Sequence, residues 1–119
     1  MKPGNHIQLG KDGESKAKSW LEEKGFRLIA ENYRCPLGEI DLICQDKDFF
    51  VFIEVKTRKS LNFGDGAESV DFRKQARIQK AAQYFMKSKK LHDRPFRFDV
   101  ISILLGKSET INHIVSAFP

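Results

Sequence analysis

Two carboxylates and a lysine interrupt segments that otherwise have the composition of a protein core. Asp41 lies in the segment GEIDLI at 38–43, and Glu54 and Lys56 follow the apolar run at 49–53. Opposed carboxylates repel and lose hydration on burial, so a divalent cation would stabilise such a pair. Mg²⁺, with Mn²⁺ as a substitute, suits oxygen ligands and needs only one or two protein carboxylates. A bound ion can activate water for attack on phosphorus, and a nearby lysine can stabilise the developing charge.

The elements that must position these side chains are predicted from periodicity and turn residues. No repeat or Pro/Ser-rich linker divides the 119 residues, so one domain, 1–119, is expected. The predicted elements are a helix at 11–24, a strand at 26–31, a turn at 35–38, strands at 39–44 and 49–57, a helix at 71–90, and strands at 96–105 and 110–117. This αβββαββ order is typical of an α/β or α+β domain in which helices cover a mixed sheet.

The two apolar strands at 39–44 and 49–57 are predicted to form a hairpin. A loop from Asp46 to Phe49 sets a register that pairs Asp41 with Glu54 and Glu39 with Lys56. Because side chains alternate between the faces of a strand, these four polar groups should converge on one patch, with Glu39 as an accessory residue. A plainer interpretation is that Glu54 and Lys56 form ion pairs on a solvent-facing sheet. The surrounding apolar residues favour the metal site.

Glu14 is a further acidic candidate on the first helix. It precedes Ala17 and Leu21 by three and seven residues, which places it on the apolar face and directs it toward the sheet. It could reach the same metal through a water molecule. Alternatively, it could only stabilise the N-terminal part of the helix, where acidic residues are favourable.

Charge is distributed unevenly along the chain, whose formal net charge is +5. Residues 1–54 carry 8 basic and 10 acidic side chains, whereas residues 55–107 carry 13 basic and 5 acidic ones. The second half is the predicted polyanion-facing half, although a solvated basic surface gives the same counts. No apolar run approaches the roughly 20 residues that span a bilayer, and no signal-peptide pattern is present, so we expect a cytoplasmic protein without a membrane partner.

Basic side chains of the second half cluster near the helix at 71–90 and beyond the second hairpin strand. A stripe opposite the apolar helix face can follow phosphates and stack on a base, or can be a solvated face. The stripe consists of Arg73, Arg77, Lys80, Tyr84 and Lys87. Lys74 lies on the apolar side and either points toward the carboxylates or extends past the core. Arg58 and Lys59 either contact phosphates or face solvent at a strand end.

Several segments resemble, in the same order, those of the YraN family of small bacterial proteins. They are Gly13-Glu14, GEIDLI at 38–43, FIEVKTR at 52–58, Phe63-Gly64, Lys74 and RFDV at 97–100. That family is similar to the PD-(D/E)xK nucleases, which include restriction endonucleases and archaeal Holliday-junction resolvases. This sequence has Ile40 where the superfamily pattern has proline.

The resemblance implies a restriction-endonuclease-like αβββαβ core with a mixed sheet flanked by helices. It also implies a set of site residues. These are Asp41, Glu54 and Lys56 as the catalytic set, Glu14 as the helix-borne acid, and the Val55 carbonyl as a further metal ligand.

These observations predict a Mg²⁺-dependent endonuclease that acts on DNA, including branched or damaged structures. The alternative is a non-catalytic nucleic-acid-binding module that keeps the fold and the basic helix, and a protein-binding adaptor is a third possibility. Because carboxylates repel phosphate, a pure binding module gains nothing from Asp41 and Glu54. Since the junction-cleaving nucleases that the sequence resembles work in pairs, this chain could also form a homodimer.

Overall fold

The computed structural model describes residues 5–59, 70–106 and 108–119, with side chains from residue 9 onward. Within these ranges two helices and five strands follow the predicted αβββαββ order. Their bounds are α1 Asn5–Glu23, β1 Arg27–Cys35, β2 Gly38–Asp46, β3 Phe49–Arg58, α2 Phe72–Ser88, β4 Phe96–Leu104 and β5 Thr110–Phe118. Phe63-Gly64, which belongs to the family resemblance, lies outside the described residues.

The strands form one mixed sheet in the order β1-β2-β3-β4-β5. β1, β2 and β3 form consecutive antiparallel pairs, β3 and β4 are parallel, and β4 and β5 are antiparallel. Parallel neighbours need a crossover connection, which here includes α2. The arrangement confirms the predicted α+β class and its αβββαβ core.

The two helices bury opposite faces of the sheet, so the central strands are apolar on both sides. The α2-side cluster includes Ile40, Ile43, Phe50, Phe52, Phe98 and Val100 from the strands, with Ile78, Ala81, Ala82 and Phe85 from the helix. The α1-side cluster includes Leu42, Cys44, Val51, Ile53, Ile101 and Ile103, with Ala17 and Leu21 from the helix. The four helix residues of this cluster form the apolar helix face that lies opposite the predicted basic stripe.

Residues at the helix ends determine where α2 begins and where α1 ends. The Asp71 side chain accepts a hydrogen bond of 2.9 Å from the Lys74 N–H and so caps α2. Gly25, with φ of +94°, follows α1 where a left-handed residue ends a helix. α1 begins at Asn5, earlier than predicted. No helix in the described ranges is both long and apolar enough to cross a membrane.

Two glycines let the helices approach the strands that carry the carboxylates. A Cβ on Gly13 would overlap Thr57 Oγ1, and one on Gly38 would lie 2.8 Å from the Arg77 carbonyl oxygen. Because neither position has room for a side chain, α1 packs directly on the end of β3 and α2 packs directly on the start of β2. Both contacts lie close in sequence to the candidate acids.

We expect Gly13→Ala to destabilise the protein, because the added methyl group would overlap the Thr57 side chain. Overpacking of this kind typically costs about 1–3 kcal/mol, which is several degrees in the thermal midpoint. Thermal unfolding followed by circular dichroism measures the effect. Gly10→Ala is the matched control, since no atom lies within 4 Å of its added Cβ. Equal thermal midpoints for the two variants would show that α1 can shift away from β3 without cost.

Candidate functional site

β2 and β3 separate where the two carboxylates lie, and we call this point the fork. Their pairing runs from Asp46↔Phe49 to Leu42↔Ile53 and ends there. β2 continues beside β1, and β3 continues beside β4. The predicted hairpin register is confirmed, because one further step would place Asp41 opposite Glu54. The predicted pairing of Glu39 with Lys56 is wrong, because the strands have already diverged.

Asp41 replaces the missing pairing partner of β3 at the fork. Its Oδ2 accepts a hydrogen bond of 2.8 Å from the Val55 N–H. Because the N–H and C=O of one strand residue point to the same edge, the Val55 carbonyl also faces the fork. Ile40 and Ile43 both pack on the α2 side, so strict alternation along β2 fails around Asp41.

Glu39 does not join the carboxylates as strict alternation predicted. Its side chain is exposed, and its Oε2 lies 3.8 Å from Arg34 Nε. It lines a cleft of about 370 Å³ with Gly38, Lys74 and Arg77. Glu39 therefore borders the site without contacting Glu54 directly.

Glu54 is almost completely buried, with 5% of its side chain exposed. It forms an ion pair with Lys74 Nζ and a hydrogen bond with the Asp41 side chain. Lys74 extends from the first turn of α2, whose start is fixed by the Asp71 cap. Of the two orientations left open for Lys74, the structure has the one toward the carboxylates.

The electrostatics of the fork favour a proton on Asp41. Burial, and then the charge of Glu54, raises the pKa of Asp41 to about 8, although the hydrogen bond from Val55 acts in the opposite direction. Adjacent carboxylates repel when both are ionised, which is why the charge of Glu54 favours the protonated form of Asp41. Burial opposes the charge of Lys74, but its hydrogen bond with Glu54 and the two carboxylate charges outweigh burial and raise the pKa of Lys74.

Glu14 approaches the fork from the α1 side. Its side chain is half-buried, as predicted for a residue directed toward the sheet. It lines a cleft of about 200 Å³ with Asn32 and Leu42. Burial raises the pKa of Glu14, a hydrogen bond with Asn32 opposes the rise, and the charges of Glu31 and Glu54 add to it. Glu14 and Lys74 thus reach the same region from opposite faces of the sheet.

The remaining basic candidates lie along β3 and α2. Lys56 is half-buried and pairs with Ser102 of β4, one pleat beyond Glu54. Arg58 is half-buried and Lys59 is exposed at the end of the strand. The predicted stripe on α2 is exposed along its whole length, at Arg73, Arg77, Lys80, Tyr84 and Lys87. These positions leave the stripe accessible to a large ligand.

The donor set at the fork is two carboxylates and the Val55 carbonyl. The described ranges contain no group of three or more His, Cys, Asp and Glu side chains that could hold a metal ion. The fork therefore offers fewer side-chain ligands than a structural zinc site uses. Mg²⁺ keeps several water ligands and takes one or two carboxylates, so this small oxygen set fits it.

A second polar cluster, not recognised from sequence patterns, lies on the α1 side of the sheet. Asp99 is completely buried, and its Oδ2 lies 2.7 Å from His113 Nε2. Its Oδ1 accepts hydrogen bonds of 3.0 Å from Arg97 Nε and from the Ser116 N–H. Burial acts against the charge of Asp99, but these contacts outweigh it and lower the pKa of Asp99. An aspartate in a buried strand was the available signal, whereas its partners on β5 could not be inferred.

Comparison with known proteins gives one consistent result. A sequence profile described as "Uncharacterised protein family UPF0102" matches residues 13–103. A UPF0102 protein of Dictyoglomus thermophilum is 44% identical over 117 residues, which cover 96% of this chain and 99% of that protein. A UPF0102 protein of Caldanaerobacter subterraneus subsp. tengcongensis is 43% identical over 122 residues, which cover 99% of this chain and 100% of that protein. A UPF0102 protein of Moorella thermoacetica is 44% identical over 102 residues, which cover 86% of this chain and 85% of that protein.

The raised pKa of Asp41 predicts that Asp41→Asn increases thermal stability by an amount that depends on pH, in buffer that contains EDTA. Well below pH 4 the wild-type carboxyl is protonated in both the folded and unfolded chain. As pH rises toward about 8, the unfolded chain releases this proton first, so wild-type stability falls. The amide of the variant carries no such penalty, so the thermal midpoint of the variant should rise relative to that of wild type between pH 5 and pH 8. Each kcal/mol of difference in the free energy of unfolding corresponds to about 4 °C.

Thermal midpoints of both proteins across this pH range measure the effect. Asp93→Asn, at an exposed turn position, is the matched control for the loss of one carboxyl group. A pH dependence of Asp41→Asn no larger than that of Asp93→Asn would mean that Asp41 ionises normally in the folded protein.

Proposed function

Because the chain belongs to the uncharacterised family UPF0102, the family of YraN, we propose a function from its own site: a metal-dependent endonuclease that hydrolyses phosphodiester bonds in DNA. One observation carries this proposal. Asp41, which is half-buried, and Glu54, which is buried, lie side by side at the fork, where a cation must balance them if both are ionised. Such a carboxylate pair is costly for a protein that only needs a stable sheet.

The proposed metal ligands are Asp41, Glu54 and the Val55 carbonyl. When bound, Mg²⁺ or Mn²⁺ would polarise the scissile phosphate and lower the pKa of water. Lys56, one pleat beyond Glu54, is proposed to orient the attacking water or to stabilise charge on the phosphate. Glu14 is proposed to exchange a proton with water at the fork, since burial favours its protonated form.

The exposed basic stripe of α2 supports nucleic acid as the substrate. Its residues face solvent on the helix that delivers Lys74 to the fork, so one phosphate backbone could contact both the stripe and the site. Arg58 and Lys59 would contact phosphates flanking the scissile bond. The resemblance of the sequence segments to junction resolvases favours branched or damaged DNA. The exposed stripe also fits the alternative, a binding module without catalysis.

Separating catalysis from metal binding tests this function. We expect Lys56→Ala to retain metal affinity, because an ammonium group repels the ion, while cleavage falls by a factor on the order of 10² or more. Glu54→Ala should lose metal binding and cleavage together and still bind DNA. The measurements are calorimetric Mn²⁺ titration, DNA binding in EDTA, and cleavage of branched, flapped, single-stranded and duplex DNA with Mg²⁺ or Mn²⁺.

The cleavage panel also separates the two candidate functions. Cleavage by Lys56→Ala at the wild-type rate would remove Lys56 from the mechanism and assign the activity to another site or a contaminant. DNA binding without cleavage of any substrate by the wild-type protein would favour the binding module.

The basic stripe should contribute affinity that depends on salt and not on base sequence. Replacing Arg77 and Lys80 by Ala is expected to weaken binding to all DNA sequences alike. The slope of log affinity against log salt should become shallower by about two units, one for each lost phosphate contact. Fluorescence anisotropy at several salt concentrations measures this slope. The matched control replaces Arg27 and Lys47, which are exposed at the end of the sheet far from the fork. An unchanged slope in the α2 variant would place the DNA path elsewhere.

A further inference from the structure

Lys74 places an ammonium group at Glu54, where the proposed function requires a divalent cation. We propose that Lys74 is an exchangeable counterion of the carboxylate pair, which holds Glu54 until a divalent cation binds and then withdraws into the cleft that it shares with Arg77. This inference rests on the proposed function and adds a residue that couples metal entry to the substrate-facing side of α2.

The contact geometry makes Lys74 and a metal ion compete for the same oxygen atoms. Glu54 is almost completely buried, and its Oε2 is the atom that contacts Lys74 Nζ. A positive ion that approached the pair would be repelled by the ammonium group while the group remains there. Binding of the ion and closure of the ion pair must therefore weaken each other by the same free energy.

The position of Lys74 allows this exchange without movement of the backbone. About half of its side chain, 48%, is exposed, so the stem runs along the surface and only the tip enters the site. The Lys74 N–H is held by Asp71, which fixes the first turn of α2. Rotation about side-chain bonds is sufficient to open the contact, and such rotations are fast for exposed residues.

The cleft beside the fork supplies a destination for the released ammonium group. Lys74 and Arg77 line it from α2, and Glu39 lines it from β2. Glu39 is an exposed carboxylate that can pair with the Lys74 ammonium group after that group leaves Glu54. A phosphate in the cleft would meet Lys74 and Arg77 together. The exposed carboxylate that the sequence suggested as a metal-site accessory thus becomes a resting partner for Lys74.

Metal titration of four proteins tests the exchange without any cleavage reaction. Calorimetry with Mn²⁺ compares wild type, Lys74→Gln, Lys74→Arg and Lys89→Gln, the last being an exposed lysine at the far end of α2. We expect Lys74→Gln to bind Mn²⁺ about tenfold more tightly, the scale of coupling between close charges. Lys74→Arg should return affinity toward wild type, and Lys89→Gln should leave it unchanged.

A second measurement uses the wild-type protein and needs no stable variant. The rate at which an acylating reagent modifies each lysine is followed by mass spectrometry with and without Mg²⁺. The Lys74 amine should react several times faster with Mg²⁺, whereas the Lys89 amine should not change.

The outcomes distinguish this inference from the proposed function. Tighter Mn²⁺ binding by Lys74→Gln together with faster labelling of Lys74 supports the exchange. Mn²⁺ binding of equal affinity in all four proteins, with Lys74 labelling unaffected by Mg²⁺, would overturn the exchange and leave the metal site intact. Absence of Mn²⁺ binding in all four proteins would remove the metal site, and the exchange with it.

Discussion

Two adjacent carboxyl groups, a half-buried Asp41 and a buried Glu54, are the constraint on which the rest of this structure depends. The repulsion between Asp41 and Glu54 and their loss of hydration must be balanced by other groups. The hydrogen bond from the Val55 N–H, protonation of Asp41, which its raised pKa favours, and the ammonium group of Lys74 supply that balance. These contacts come from three elements, so the fork also ties β2, β3 and α2 together.

The fork also shows how a sheet can open while the backbone N–H at the opening keeps a hydrogen bond. Where β2 leaves β3, the N–H of Val55 loses its usual carbonyl partner, and the Asp41 side chain accepts the hydrogen bond instead. Gly13 and Gly38 permit the helices to pack close to the separating strands. Asp41 therefore lies where the pairing ends, accepts a backbone hydrogen bond and contacts Glu54. A substitution at Asp41 consequently changes both the charge of the fork and the local hydrogen bonding of β3.

Local patterns predicted the elements, the hairpin register and the adjacency of Asp41 and Glu54, because periodicity and a two-residue turn determine all three. They did not predict where the pairing ends, since that depends on how the helices pack. For this reason the predicted position of Glu39 was wrong. The contact of Lys74 with Glu54 and the network of Asp99 with His113 join distant segments. A sequence pattern reports such contacts only as a charged residue at an apolar position.

The parallel pairing of β3 with β4 joins strands that are far apart in the chain. β1, β2 and β3 are consecutive hairpin strands, whereas Phe50 pairs with Phe96 only after the chain has passed through α2. Local pairings carry a smaller loop-closure entropy and form before distant ones. On this order of pairing, Asp41 and Glu54 would meet while the hairpin is still open to water. Because Lys74 lies on α2, the helix that covers this face of the sheet also carries the counterion of Glu54.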